Sequence, residues 1–144
     1  MRKLILLFLV TSSFSQEITL NEDLKIYEYA HIKDYSDSEK IQSFYNQLKE
    51  LSYYDIELSD DNVKGKNFVT KMIMGSAMEV HYNVIISFKE NRYRLLINNF
   101  TVKDVRYGSV AIETLKKSSQ RRWVAFINEE LPMIVKKIET SNDW

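Results

Sequence analysis

Residues 82–100 read YNVIISFKENRYRLLINNF. Tyr82, Val84, Ile86 and Phe88 alternate with Asn83, Ile85 and Ser87, the period-two pattern of a half-buried strand, and it extends back through Val80 and Met78. A second apolar run follows Glu90-Asn91. If those two residues are the turn, Phe88 faces Tyr93, Ile86 faces Leu95 and Val84 faces Ile97, all on one side. A slip of one residue would set Ser87 against Leu95 and mix core with solvent positions. Glu-Asn suits a two-residue turn poorly, because both positions need positive φ; a four-residue loop keeps the same register. The other side of the hairpin is neither polar nor apolar. It carries His81, Asn83, Ile85 and Ser87, with Arg94, Leu96, Asn98 and Phe100 across from them. What lies against that second side is the functional question the sequence poses.

Working outward, LKIYEYAHI (residues 24–32) reads as a strand rich in β-branched and aromatic residues. Ser36 and Glu39 form a capping box, and Ile41, Phe44, Tyr45, Leu48 and Leu51 make one helical stripe after it. Residues 54–75 read as two strands about the turn Ser59-Asp60-Asp61-Asn62, whose short polar side chains accept backbone hydrogen bonds. Gly75-Ser76-Ala77 makes the next turn. Near the C-terminus, Trp123, Phe126, Ile127, Leu131, Ile134 and Ile138 form a second helical stripe, and Pro132 inside it predicts a kink or break near Glu129. Residues 104–120 are left as a loop, long enough to pack on something or to carry function.

The 144 residues suit one domain. Twenty basic and twenty acidic residues balance, so no net charge draws the chain to nucleic acid. Residues 1–15 have the pattern of a signal peptide: Arg2 and Lys3, then the short apolar run Leu4 to Val10, then Ser13 and Ser15 before a cut ahead of Gln16. Its removal leaves a net charge of −2 and no run long enough to span a membrane. The expected product is exported, periplasmic or secreted. The chain contains no cysteine, which excludes disulfides, thiolate metal sites and cysteine nucleophiles.

The order strand, helix, four antiparallel strands, helix resembles a family of exported bacterial proteins of unknown function with a TBP-like fold. The resemblance covers residues 24–103. It rests on the leader followed by a strand and helix, on VKGKNFVTKM (residues 63–72), and on HYNVIISFKENRYRLLINNF (residues 81–100). It implies an α+β domain over residues 16–144, with a curved antiparallel sheet, two helices on one face and a C-terminal helix over 121–139. The other face would be open or partly covered. It supplies no activity.

Catalytic signatures are missing from the sequence. His31 and His81 are fifty residues apart, no nucleophile elbow places a serine, and the three glycines stand alone rather than in a phosphate-cradling loop. No cofactor, metal site or catalytic residue is expected. The expected function is a non-enzymatic envelope binding or assembly module that meets a protein or glycan through His81, Asn83, Ile85, Arg94, Leu96, Asn98 and Phe100. Two alternatives are a small enzyme with its site on the same face, and a structural homodimer that seals that face with a second copy.

Overall fold

The structure, a computed structural model, describes residues 16–34, 40–104 and 108–140. The leader and the Ser36–Glu39 capping box lie outside the described residues. Seven strands form one antiparallel sheet: β1 (Thr19–Asn21), β2 (Ile26–Asp34), β3 (Tyr54–Leu58), β4 (Asn62–Ile73), β5 (Ser76–Lys89), β6 (Arg92–Asp104) and β7 (Gly108–Ala111). Helix α1 (Lys40–Glu50) follows β2, and α2 (Lys117–Glu139) ends the chain after a single 3-10 turn at Ile112–Thr114. The spatial order is β1-β2-β6-β5-β4-β3, with β7 paired to β6. Strand β6 is long enough to pair with β2 through residues 92–98 and then with β7 through residues 101–104.

The central hairpin has the register its alternation demands: Phe88 opposite Tyr93, Ile86 opposite Leu95 and Val84 opposite Ile97. Its turn is the tight one. Lys89 pairs with Arg92, and Glu90 and Asn91 take φ of 41° and 62°. The chain accepts two left-handed residues rather than opening a four-residue loop, because this turn's twist matches that of the flanking strands. The same solution joins β4 to β5. Ile73 pairs with Ser76 around Met74 and Gly75, both at positive φ, so the turn falls one residue earlier than Gly75-Ser76-Ala77. At the β3–β4 turn, Ser59 donates its backbone N–H to the Asn62 carbonyl at 2.9 Å, and the Asn62 amide donates to Ser59 Oγ at 3.3 Å, the side-chain acceptance that the polar cluster predicted.

Helix α1 ends in a Schellman motif. The Tyr53 amide donates to the Leu48 carbonyl and the Ser52 amide to that of Lys49, with Ser52 left-handed at φ 63°. Tyr53 and Leu48 then lie together on Gly65 of β4. Helix α2 begins at Lys117, earlier than 121, and runs through Pro132 without a break. Pro132 is on the solvent side, while Trp123, Phe126, Ile127, Leu131, Ile134, Val135 and Ile138 are buried on both sides of it in sequence. That stripe anchors both halves of the helix and offsets the lost backbone bond.

The buried cluster joins these helix residues to strand residues of one face: Tyr29 on β2, Val63 on β4, Val80, Tyr82, Val84 and Ile86 on β5, and Tyr93, Leu95, Ile97, Phe100 and Val102 on β6. Both helices therefore sit on one face of the sheet. Part of the expected loop is strand. Residues 108–111 lengthen the sheet at the edge of β6 instead of folding across its free face.

Candidate functional site: the helix-free face of the sheet

The pairing registers lay this face out in rows. One row runs Ala30, Leu96, Ile85, Lys64 across β2, β6, β5 and β4. The next runs Glu28, Asn98, Asn83, Lys66. On the other side of the apolar row, Ile32, Arg94, Ser87 and Asn62 form a third. An apolar pair, Leu96 and Ile85, thus lies beside an amide pair, Asn98 and Asn83, with charged residues at the margins. Leu96 and Ile85 are half-buried and Ile32 is exposed. Six of the seven expected contact residues share this face.

Phe100 does not. Between Asn98 and Thr101 the ladder slips, so Tyr82 of β5 opposes both Asn99 and Phe100 of β6. This is a β-bulge, with Asn99 left-handed at φ 54°. The extra residue reverses the alternation of β6, and Phe100 is 1% exposed in the core. Strict alternation through residue 100 placed it on the wrong side. The local signal was the pair Asn98-Asn99, since asparagine is among the few non-glycine residues that tolerate left-handed φ.

Beyond the bulge the face continues as Thr101, His81 and Phe68. His81 is held on three sides. Its Nε2 is 2.9 Å from Glu79 Oε1, its Nδ1 is 2.9 Å from the Tyr54 hydroxyl, and Phe68 stacks on the ring at 5.0 Å between centroids. A shallow depression of about 300 Å³ surrounds it, bounded by Tyr54, Lys66, Asn83, Asn99, Thr101, Lys103 and Ser109. Three of these residues, Tyr54, Lys66 and Ser109, escape a reading of the central hairpin alone, because they come from β3, β4 and β7 and meet it only through the sheet order. Lys66 and Phe68, opposite Asn83 and His81, lie on the same face as Arg94. Chemically the depression offers amides, hydroxyls, lysines and an aromatic surface, suited to hydrogen-bonding and stacking.

Asn98 is 8% exposed, and its Oδ1 has no hydrogen-bond partner among the described residues. A buried polar atom left without a partner carries a desolvation cost. Its register neighbours are Glu28 and Asn83.

His31 lies on the opposite face, under the end of α2. Its Nε2 is 2.8 Å from Glu139 Oε1, and its Nδ1 meets the Tyr29 hydroxyl at 2.5 Å. Glu139 also accepts from Lys33 Nζ and from the Tyr93 hydroxyl, both at 2.6 Å. Burial pushes the Glu139 carboxyl up, but the contacts from His31, Lys33 and Tyr93 outweigh it and hold the group down at about 2. Burial, reinforced by Glu139, raises the Tyr93 phenol. The two histidines cannot combine, and among the described residues no three His, Asp or Glu side chains are grouped to hold a metal ion. Nor is any helix among them long and apolar enough to cross a membrane.

No protein-family model and no curated protein matches this chain in sequence. Solved structures do match it in shape. A DUF4468 family protein from Bacteroides ovatus aligns over 83% of this chain and 90% of its own, with a TM-score of 0.53 and 12% identity. A TBP-like protein from Parabacteroides distasonis aligns over 81% of this chain and 95% of its own, with a TM-score of 0.53 and 11% identity. At such identities the likeness speaks for the fold alone. The chain has a TBP-like α+β fold, similar to that of bacterial proteins of unknown function, as the resemblance in residues 24–103 implied.

Proposed function

We propose that this protein is an exported, non-enzymatic module of the bacterial envelope that binds a protein or glycan through the helix-free face of its sheet. The supporting observation is the ordered composition of that face. Half-buried Ile85 and Leu96 lie beside Asn83 and Asn98, and the His81 depression adjoins them. Both described helices pack against the other face. An apolar centre with polar groups around it is the composition of a contact surface. Glu79 and Tyr54 engage both ring nitrogens of His81 and hold its ring in place at the edge of this surface. The leader pattern in residues 1–15 supports export.

Photo-crosslinking in the producing cell, with the crosslinker replacing Leu96, tests this reading. A discrete heavier adduct that mass spectrometry resolves into a different protein or a glycan is the expected result. An adduct with a second copy of the chain would replace it with the homodimer reading. A crosslink only within the chain would show that the protein covers its own sheet, and would overturn it.

A further inference from the structure

The helix side of the sheet holds a second site, separate from the surface proposed above. Tyr53, just past α1, and Tyr82, on β5, place their hydroxyl oxygens 3.1 Å apart. Both residues are more than nine-tenths buried, at 8% and 3% exposed. Asn67 of β4 donates through Nδ2 to the Leu51 carbonyl at 3.4 Å. Two phenols carry two hydroxyl protons. Their mutual bond uses one, whichever residue donates. The other has no acceptor among the described residues. Burial raises both phenols, Tyr82 to about 12, so both stay protonated at neutral pH and the leftover donor persists.

These tyrosines line a recess of about 160 Å³ between α1, β4 and α2, whose other walls include Leu51, Val69, Met133 and Ile134. Cavities of this size, about 150 Å³, hold a benzene-sized ring when apolar. Here Leu51, Phe68, Val69, Met133 and Ile134 give the apolar walls, Asn67, Glu130 and Lys137 add polar ones, and the phenol pair supplies a donor to spare. The recess shares Leu51, Met133 and Lys137 with an open groove of about 530 Å³ between the ends of α1 and α2, which provides a way in.

We infer that the recess beside Tyr53 and Tyr82 binds a small, neutral, single-ring molecule that carries one hydrogen-bond acceptor, with the spare tyrosine hydroxyl donating to that acceptor. A charged ligand is not favoured, because Glu130 and Lys137, which also line the recess, are of opposite sign and leave no net counter-charge to offset an ion's lost hydration. A purely apolar ring would leave the donor unpaired.

The test compares two probes of nearly the same shape on the full chain, benzonitrile, which accepts a hydrogen bond, and toluene, which does not. Titrations followed by amide NMR shifts are expected to move Asn67, Tyr53 and Tyr82 with benzonitrile, and to show it binding about tenfold tighter than toluene. The double variant Tyr53→Phe/Tyr82→Phe removes both hydroxyls and is expected to abolish the preference. Should that variant fail to fold, the wild-type shifts still decide the matter. Equal binding of both probes, shifts confined to other residues, or no binding by either, the recess holding water only, would each overturn the inference. None of these outcomes bears on crosslinking at Leu96, so the two sites are judged separately.

Discussion

Tyr82 and Phe100 meet in the core with ring centroids 6.4 Å apart, although Asn83 and Asn98, one and two residues away from them, face each other on the opposite side of the sheet. The bulge at Asn99 makes both statements true. It separates a residue that holds the fold together from residues available for contact, within a single strand.

That separation predicts opposite outcomes for two aspartates. Phe100→Asp puts an unpaired charge at a site 1% exposed and is expected to cost more than about 4 kcal/mol, enough to unfold a domain of ordinary stability. Leu96→Asp falls on the half-buried helix-free face and is expected to cost about 1 kcal/mol, leaving a cooperative fold. Urea denaturation followed by circular dichroism measures both. If Leu96→Asp also unfolds the chain, that face is core and the binding surface is lost with it. Within the bulge, Asn99→Gly should be close to neutral, whereas Asn99→Val should cost about 1–2 kcal/mol, because left-handed φ is hardest on a β-branched side chain.

The cluster at the end of α2 predicts an acid-sensitive fold. Glu139 is held at about 2 against an ordinary 4.5. A carboxyl that ionises more readily when folded stabilises the protein fully above about pH 4.5. The unfolded chain binds more protons below that, so the contribution fades as pH falls towards 2. The amount is on the order of 2 kcal/mol, less than the whole shift implies, since Lys33 is 59% exposed and its bond is screened by water. Glu139→Gln should lower stability at pH 7 and flatten its dependence between pH 4.5 and 2. Denaturation midpoints across that range check the slope; a variant with the wild-type slope would place the acid response elsewhere.

How far the sequence reveals this molecule depends on which residues report on long-range partners. The central register was legible because six apolar residues, Val84 to Phe88 and Tyr93 to Ile97, must share a face, and the α1 stripe was legible for the same reason. Strands β1 and β7 were not. They are three and four residues long, largely exposed, and exist because β2 and β6 offer unpaired edges. Pro132 left a kink or a break open from local geometry alone; packing on both sides of it keeps the helix unbroken. At the candidate site, His81 and Asn83 could be placed from their strand alone. Tyr54, Lys66 and Ser109 could not, as nothing in β3, β4 or β7 announces its neighbours. Phe100 was misassigned by one residue of bulge.

Gly65 sets how closely α1 approaches the sheet. A Cβ built there would stand 3.3 Å from Leu48 Cδ1 and 3.3 Å from Tyr53 Cδ1. Two effects of Gly65→Ala oppose each other. Relief of glycine's backbone entropy within a strand favours alanine by roughly 0.5–1 kcal/mol. Overpacking costs about 1–3 kcal/mol when neighbours cannot retreat. Here Leu48 is fully buried and Tyr53 is pinned by Tyr82 and the Schellman turn, so packing should win and the variant should lose about 1–2 kcal/mol. Because Tyr53 would move with it, the amide shifts of Asn67 and Tyr82 should change as well. A Gly65→Ala protein as stable as wild type, with those shifts unmoved, would mean that α1 rides higher on the sheet than these distances state.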